Sequence, residues 1–255
     1  MNYKNLYDLS KKVCIVTGGT GYLGSANVEA LKDFGATVVV ADIKPKETPT
    51  DLYVECDVSS ADSIKACFKK VYDTFGHIDV LVNCATYGAG YGKESQIEFM
   101  SDEVWEKGID GTLSNIFRCS REIIPYMKEK GGSIINYGSM YGIVSPDLRI
   151  YGEDNPQKNP PNYGADKAGV LMFTRYAAGA LAQYNIRVNS VTPGPFPAPQ
   201  NQIDIDFNSK LASKTMLGRL GQNYEISGPV VLLASDASSF MTGSNIVVDG
   251  GWTAW

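Results

Sequence analysis

Val13-Cys-Ile-Val-Thr-Gly-Gly-Thr-Gly-Tyr-Leu-Gly24 is the stretch that decides the fold. An apolar run rich in β-branched residues, Val13–Thr17, ends in glycines and gives way to a helix-length amphipathic stretch, Tyr22–Phe34. Gly19, Gly21 and Gly24 form a G-x-G-x-x-G between a strand and a helix, the context in which that spacing carries meaning. Glycines permit a tight turn and close backbone approach, and a helix N-terminus presents free N–H groups to a pyrophosphate. Asp42 closes the next apolar run, VVVADI, 18 residues past Gly24. From there its carboxylate can accept hydrogen bonds from an adenosine ribose diol, and it would repel a 2′-phosphate. Thr20 and Ile43 bring no positive charge, so NAD is expected over NADP, with Lys44 and Lys46 the residues that argue the other way.

The same alternation continues along the chain. Apolar runs at Thr37–Ala41, Val80–Val82, Ser133–Asn136, Arg187–Val191 and Asn245–Val248 are separated by helix-length stretches at Ser60–Phe75, Ser101–Lys130, Tyr163–Gln183 and Tyr224–Ala234. Strands without polar alternation belong to a sheet covered on both faces, and strands alternating with helices make parallel βαβ units. The expectation is an α/β fold, a Rossmann-type doubly wound parallel sheet of about seven strands, in one domain spanning 1–255. Ser59 or Ser60 suits a helix N-cap and Gly35 suits the position after a helix end. Two segments, about 141–162 and 193–208, are rich in proline or polar residues and too long for plain connections, so they are expected to be substrate loops.

Composition narrows the function. The 255 residues hold 23 Lys+Arg against 28 Asp+Glu, a net charge of −5 with the single histidine neutral. That balance gives no electrostatic reason to expect nucleic acid or an anionic membrane as partner. No run reaches about 18 apolar residues, so no membrane-spanning helix is expected. The N-terminal MNYKNLYDLSKK lacks a hydrophobic signal core, which points to the cytoplasm. Cys14, Cys56, Cys67, Cys84 and Cys119 are widely spaced and never form a CxxC pair. They suit reduced core thiols better than a disulfide framework or a zinc site, and no metal is expected. His77, in FGHIDVLVN, reads as a turn residue, so proton chemistry here is expected to run without histidine.

Tyr163 and Lys167, in YGADK, stand one helical turn apart. They follow Asn136-Tyr137-Gly138-Ser139 at the end of an apolar run. Together with TGGTGYLG at 17–24, Asp57, NCA at 83–85, RVNSVTPG at 187–194 and DGGW at 249–252, they make the chain resemble the short-chain dehydrogenase/reductase family over roughly residues 10 to 252. The resemblance implies an enzyme in which Tyr163 exchanges a proton with the substrate oxygen and Ser139 hydrogen-bonds that oxygen. It implies that Lys167 holds the nicotinamide ribose and eases ionisation of Tyr163. An ordinary phenol needs about 4 kcal/mol of help to work near neutral pH. One cation ~4 Å away supplies roughly that at an effective dielectric of ~20. The resemblance also assigns the dinucleotide to Gly18, Thr20, Gly21, Tyr22, Leu23 and Gly24 at the turn, and to Asp42 and Ile43 after the second strand. Asp57 and Val58 would meet the adenine, with Asn83 and Ala85 beyond the fourth strand. Pro193, Gly194 and Phe196, with Tyr163 and Lys167, complete the set.

Some positions depart from the family pattern. Tyr22 replaces a common glycine, in a form typical of the longer epimerase branch, whose extra substrate domain a chain of this length has no room for. Thr112 falls where the family has its proton-relay asparagine, with Asn115 almost a turn away; a hydroxyl does not reproduce amide chemistry. Thr86 and Ala198 replace a usual glycine and threonine. Ser139 and Tyr163 are 24 residues apart, where shorter members have about a dozen. The added segment brings Tyr141, Asp147, Arg149, Tyr151, Glu153, Asp154 and Asn155, and Tyr141, Arg149 and Tyr151 are expected to touch substrate alongside Ser139. Those polar groups suit a hydroxyl-rich ligand, and the fragment RIYGEDNPQKNPPNYGADKAG with the tail VVDGGWTAW resembles the sugar, sugar-acid and polyol dehydrogenases of the family, such as gluconate 5-dehydrogenase-like members. Two other readings remain open: an NADPH-dependent 3-oxoacyl-carrier reductase, and a catalytically weak nucleotide sensor. Family members assemble through their two long helices, here about 101–130 and 163–183, so a homotetramer or homodimer is expected. Phe117, Arg118, Tyr126 and Phe173 would serve that interface or the core, and Trp252 and Trp255 a subunit contact or the roof of the active site.

Overall fold

The computed structural model describes residues 2–90, 92–151, 158–202 and 204–255. Seven parallel strands form one sheet: β1 Val13–Thr17, β2 Thr37–Asp42, β3 Leu52–Glu55, β4 Val80–Asn83, β5 Gly132–Tyr137, β6 Ile186–Pro193 and β7 Asn245–Val248. Their spatial order is β3-β2-β1-β4-β5-β6-β7, so the winding reverses between β1 and β4. A crevice opens at the carboxyl ends of the strands at such a reversal. Every residue of β1 and β4 is buried, which is why these strands read as unbroken apolar runs.

Helices α1 Tyr22–Asp33, α2 Ala61–Phe75, α3 Asp102–Ile109, α4 Asn115–Met127, α5 Pro161–Leu181, α6 Ile205–Ser213 and α7 Ser227–Ala234 surround the sheet. One apolar layer joins Ile15, Val39 and Leu81 to Phe68 of α2, Ile123 of α4 and Leu181 of α5. The opposite layer joins Cys14, Val16 and Val38 to Val28 of α1 and Val230 of α7. Successive strand residues serve opposite faces, as the pleat requires. Ser60 caps α2 by accepting the Ser63 N–H at 3.3 Å. His77 sits before β4 at the end of the sheet remote from the crevice, 3.3 Å from Asp79, which in turn accepts the Val13 N–H at 2.8 Å.

Three segments differ from the sequence expectation. The stretch 101–130 is not one helix: a π turn, Asp110–Ser114, separates α3 from α4, and the Asn115 amide donates back to the Gly111 carbonyl there. The 193–208 segment is not all loop, since it contains the short turn Pro199–Asn201 and the start of α6, capped by Asp204 accepting the Phe207 N–H at 2.9 Å. The last predicted helix begins as a 3-10 turn, Asn223–Ile226, before α7. No helix among the described residues is long and apolar enough to cross a membrane.

Candidate active site

The strand ends and their following turns enclose a cleft of about 780 Å³. Its floor is the β1–α1 turn, where Gly18, Thr20, Gly21, Tyr22, Leu23 and Gly24 all line it. Two glycines here are sterically required. Gly18 has φ +66°, and a Cβ on it would lie 2.8 Å from Ala85 Cα. A Cβ on Gly24 would lie 2.1 Å from the Gly18 carbonyl oxygen, so helix and turn pack backbone to backbone. Gly21 caps α1 without a side chain, which leaves the first-turn N–H groups facing the cleft. Gly24→Ala is therefore expected to cost about 2–3 kcal/mol through overpacking; a thermal melt matching that of the wild-type protein would show that the turn can yield.

Asp42 and Ile43 line the same cleft at the end of β2. Asp42 Oδ2 accepts from the Thr20 backbone at 3.0 Å and from its hydroxyl at 2.7 Å, and Oδ1 accepts the Ile43 N–H at 2.8 Å. Lys44 and Lys46 are exposed and lie outside the cleft lining, in which Lys167 is the one cation among the described residues. Asp57 and Val58 line the wall above β3, with the Asp57 carboxylate accepting the Ser59 N–H at 2.8 Å. Ala85 lines the wall beyond β4. Asn83 does not: it is buried and spends its amide on Asn136 Oδ1 at 2.9 Å, holding β4 to β5. Pro193 and Phe196 line the far side, whereas Gly194 packs against Asp249 Cα, 2.5 Å from where its Cβ would stand.

Tyr163 and Lys167 enter the cleft from α5, with the lysine Nζ 5.7 Å from the phenol ring centroid. Lys167 Nζ donates to the Tyr137 carbonyl at 2.7 Å, and Gly138 lines the cleft beside it. Burial pushes the Lys167 pKa down to about 8, against the opposing pull of Cys84 and Asp166. Ser139 follows directly; its Oγ accepts the Tyr141 N–H at 3.2 Å and keeps its own proton to donate. Thr112 is buried in the π turn with its hydroxyl 3.1 Å from that of Thr86, and Asn115 donates to the Ala85 carbonyl at 3.3 Å. Neither side chain reproduces a relay asparagine.

The expected substrate residues part company. Tyr141 and Tyr151 are each 8% exposed, their hydroxyls 3.1 Å apart, in a cluster with Met140, Ile150, Leu211 and Trp252 against which Tyr163 packs. Burial raises the pKa of both tyrosines, Tyr141 further through its neighbour Tyr151. Arg149 is turned outward instead: its side chain is 88% exposed and bonded to Asp147, which is also held by Lys214 at 2.6 Å. Those three charges are drawn into one group on the outside of the cluster. Glu153, Asp154 and Asn155 lie outside the described residues. Trp252 meets Tyr141 edge to face, with centroids 6.2 Å apart, while Trp255 is exposed and donates to the Lys214 carbonyl. Arg118 serves neither core nor free surface; it pairs with Asp110, which also takes the Tyr87 hydroxyl, and reaches the Val58 carbonyl at 3.4 Å. Beyond Tyr141 a second cleft of about 690 Å³ runs between Ser95–Glu98 and Lys158–Pro161.

Sequence reasoning missed Tyr87, which lines the cleft two residues past the NCA motif, and Asp166, which stands between Tyr163 and Lys167 without a signal of its own. Asp166 is 1% exposed, neither carboxylate oxygen has a hydrogen-bond partner among the described residues, and burial pushes its pKa up to about 7 against Lys167.

A glycine turn at the winding reversal, an acidic residue ending β2, and a tyrosine–lysine pair above them define an α/β oxidoreductase of the dinucleotide-binding kind. The chain belongs to the short-chain dehydrogenase/reductase family, whose members use a nicotinamide cofactor. A family model described as enoyl-(acyl carrier protein) reductase matches residues 22–253. The chain is 36% identical to the 3-oxoacyl-[acyl-carrier-protein] reductase FabG of Thermotoga maritima, over 95% of this chain and 98% of that one. Among solved structures it resembles a short chain dehydrogenase from Leptospira borgpetersenii with bound NAD+, at TM-score 0.85 and 32% identity, covering 99% of this chain and 96% of the other. It also resembles the aldohexose dehydrogenase of Thermoplasma acidophilum, at TM-score 0.85 and 30% identity, covering 100% and 97%.

Proposed function

We propose that this oxidoreductase uses NAD(H) to interconvert a secondary alcohol and a ketone on a small polyhydroxylated molecule, a sugar, sugar acid or polyol. The observation that carries the chemistry is the meeting of Tyr163, Lys167 and the glycine turn in one cleft. The residues suit a dinucleotide: the turn excludes any Cβ at Gly24, and Asp42 presents its carboxylate beside the turn. When bound, the nicotinamide supplies a hydride acceptor or donor. Tyr163 takes the proton of the substrate hydroxyl in oxidation and returns it in reduction. Ser139 donates to the substrate oxygen and so fixes which oxygen faces Tyr163. Lys167, cationic but desolvated, favours the ionised phenol and donates to the ribose.

Asp42 supports NAD, since a carboxylate beside the ribose opposes a 2′-phosphate and no cation but Lys167 lines the cleft among the described residues. The solved relative with NAD+ agrees with that choice. For the substrate, the structural support is Tyr141, which lines the second cleft and belongs to the aromatic cluster against which Tyr163 packs. The aldohexose dehydrogenase likeness points the same way. The loops about 141–162 and 193–208 would serve as substrate loops, within one functional unit spanning 1–255. Self-association as a dimer or tetramer is supported by the α4–α5 face, where Phe117, Met172 and Tyr176 are exposed. Free cysteines suit a reducing, cytoplasmic location.

The T. maritima relative favours a second reading, reduction of a carrier-bound 3-oxoacyl thioester with NADPH. An NAD-reduction screen over aldoses, sugar acids and polyols, run beside a 3-oxoacyl thioester with NADPH, separates the two. Turnover is expected in the first arm; turnover confined to the thioester would overturn the sugar reading. Firm NAD binding without turnover in either arm would leave the nucleotide-sensing reading in its place.

A further inference from the structure

Three thiols share one apolar layer of the sheet and take no part in the chemistry above. Cys56 follows β3, Cys67 belongs to α2 and Cys119 to α4, and each is 1% exposed. The turn between β3 and α2 sets the first two beside each other. The Asp57 N–H donates to Ser63 Oγ at 2.9 Å, and Cys67 stands one helical turn beyond Ser63 on the same face of α2. The Cys67 thiol donates to the Cys56 sulfur. That bond draws the Cys56 pKa below the ordinary thiol value, against burial and the charges of Asp57 and Asp42, and it raises that of Cys67. The accepting sulfur is the more thiolate-like of the pair, and the thiolate is the nucleophile. Access also separates them. Cys56 lines the dinucleotide cleft beside Asp57 and Val58, whereas Cys67 lies behind that wall, outside the lining. A nucleophilic sulfur at the cleft wall, with a second thiol in contact behind it, is the arrangement of an attacking and a resolving cysteine.

We propose that Cys56 is an oxidation site for hydrogen peroxide, resolved by Cys67 as a disulfide, and that a bound dinucleotide shields it. The shielding rests on the cleft holding the cofactor, as read above; the thiol chemistry does not. Peroxide, little larger than water, reaches the wall through the cleft. The Cys56 sulfur attacks one peroxide oxygen, the O–O bond breaks, and the other oxygen leaves as water with the thiol proton. Cys56 is then a sulfenic acid. The Cys67 sulfur attacks the Cys56 sulfur, the S–S bond forms, and the hydroxyl leaves as water with the Cys67 proton. Two thiols have given up two electrons and two protons, and one peroxide has become two waters. Sulfurs in a disulfide are ~2.05 Å apart, well inside any thiol hydrogen bond, so closure draws the end of β3 towards α2. Asp57 and Val58, the next two residues, line the cleft and move with it. The oxidised protein therefore holds the dinucleotide less tightly, and by linkage the bound dinucleotide opposes oxidation. The resting cysteines are free, as suits a transient sensing disulfide in a reducing compartment.

The first measurement needs no variant and no substrate. Wild-type protein without cofactor is exposed to hydrogen peroxide, and its unreduced digest is mapped by mass spectrometry over time. A Cys56–Cys67 disulfide is expected, reversed by dithiothreitol and formed well before any change at Cys14, which is 0% exposed in the opposite apolar layer. Cys56 left reduced, or a Cys67–Cys119 pair in place of the expected one, overturns the proposal. Cys14 reacting at the same rate overturns it too, since that marks entry by unfolding. Saturating NAD+ should slow the disulfide by about 10-fold, and the oxidised protein should bind NAD+ about 10-fold more weakly by calorimetry, the loss of one charge-assisted hydrogen bond. If NAD+ binds the untreated protein but leaves the oxidation rate unchanged, the shielding fails; if it does not bind at all, the cofactor reading fails. Two variants separate the roles. Cys67→Ser should stop at the sulfenic acid, trapped on Cys56 by dimedone, and Cys56→Ser should give neither adduct nor disulfide. A dimedone adduct on Cys67 of Cys56→Ser at the rate seen for Cys56 overturns the assignment of the attacking thiol.

Discussion

Replacing Tyr163 with phenylalanine is expected to lower kcat for alcohol oxidation by about three orders of magnitude while leaving NADH affinity within twofold, as a positioned acid/base contributes roughly 10²–10⁴-fold. On the proposed reading the phenol is the proton-transfer group, and α5 brings it into the cleft beside Lys167. His77, the chain's single histidine, lies at the far end of the sheet against Asp79 and offers no substitute. The ring itself packs with Tyr141, Trp252 and their neighbours, so removing one oxygen leaves that contact in place. Steady-state kinetics and NADH fluorescence titration read the two quantities separately. A variant retaining more than a tenth of the wild-type rate would take the proton transfer away from Tyr163.

NADH is expected to bind about 100-fold more tightly than NADPH, a difference of about 2.7 kcal/mol. The cause is Asp42. Two like charges ~4 Å apart repel by about 4 kcal/mol at an effective dielectric of ~20, and the partial exposure of Asp42 reduces that figure. Its carboxylate cannot swing freely aside, because Thr20 and the Ile43 N–H hold both oxygens. Asp42→Ala should weaken NADH by about 10-fold, through loss of the charge-assisted bonds to the ribose diol, and should bring the two cofactors within about threefold of each other. Titration of both cofactors against both proteins measures this. Tighter NADPH binding to the wild type would assign the 2′-phosphate to Lys44 or Lys46, now exposed outside the cleft.

The inner strands were legible because they are packed on both faces, which removes polar alternation and leaves runs such as Val13–Thr17 with the predicted bounds. Tyr163 and Lys167 were legible because a spacing of four has one geometric meaning on a helix. The substrate wall was read wrongly where charge alone was the guide. Arg149 looked like an anion grip, yet Asp147 two residues away takes it, and Lys214, 67 residues on, completes the group. Asn83 looked like a cofactor contact by its place in NCA, but it is buried below the cleft and its amide nitrogen is taken by Asn136. The π turn left no signal in composition, since its cause is partly the Asn115 amide bonding to Gly111 and partly the packing of Gly111 onto the Tyr87 carbonyl.

Local spacing was therefore sufficient for the winding of the sheet, the dinucleotide turn, the acidic residue after β2 and the tyrosine–lysine pair, since all of these are set by neighbours within a few residues or by repeat period. Which polar groups lose water needed the folded chain. Asp166 reads as an arbitrary residue inside YGADK, and it becomes a buried carboxyl because Gly108 and Gly169, 61 residues apart, let two helical segments close over it. Desolvation depends on every atom that comes near, whatever its place in the chain, and the same dehydration moves Lys167 and Asp166 towards neutral pH.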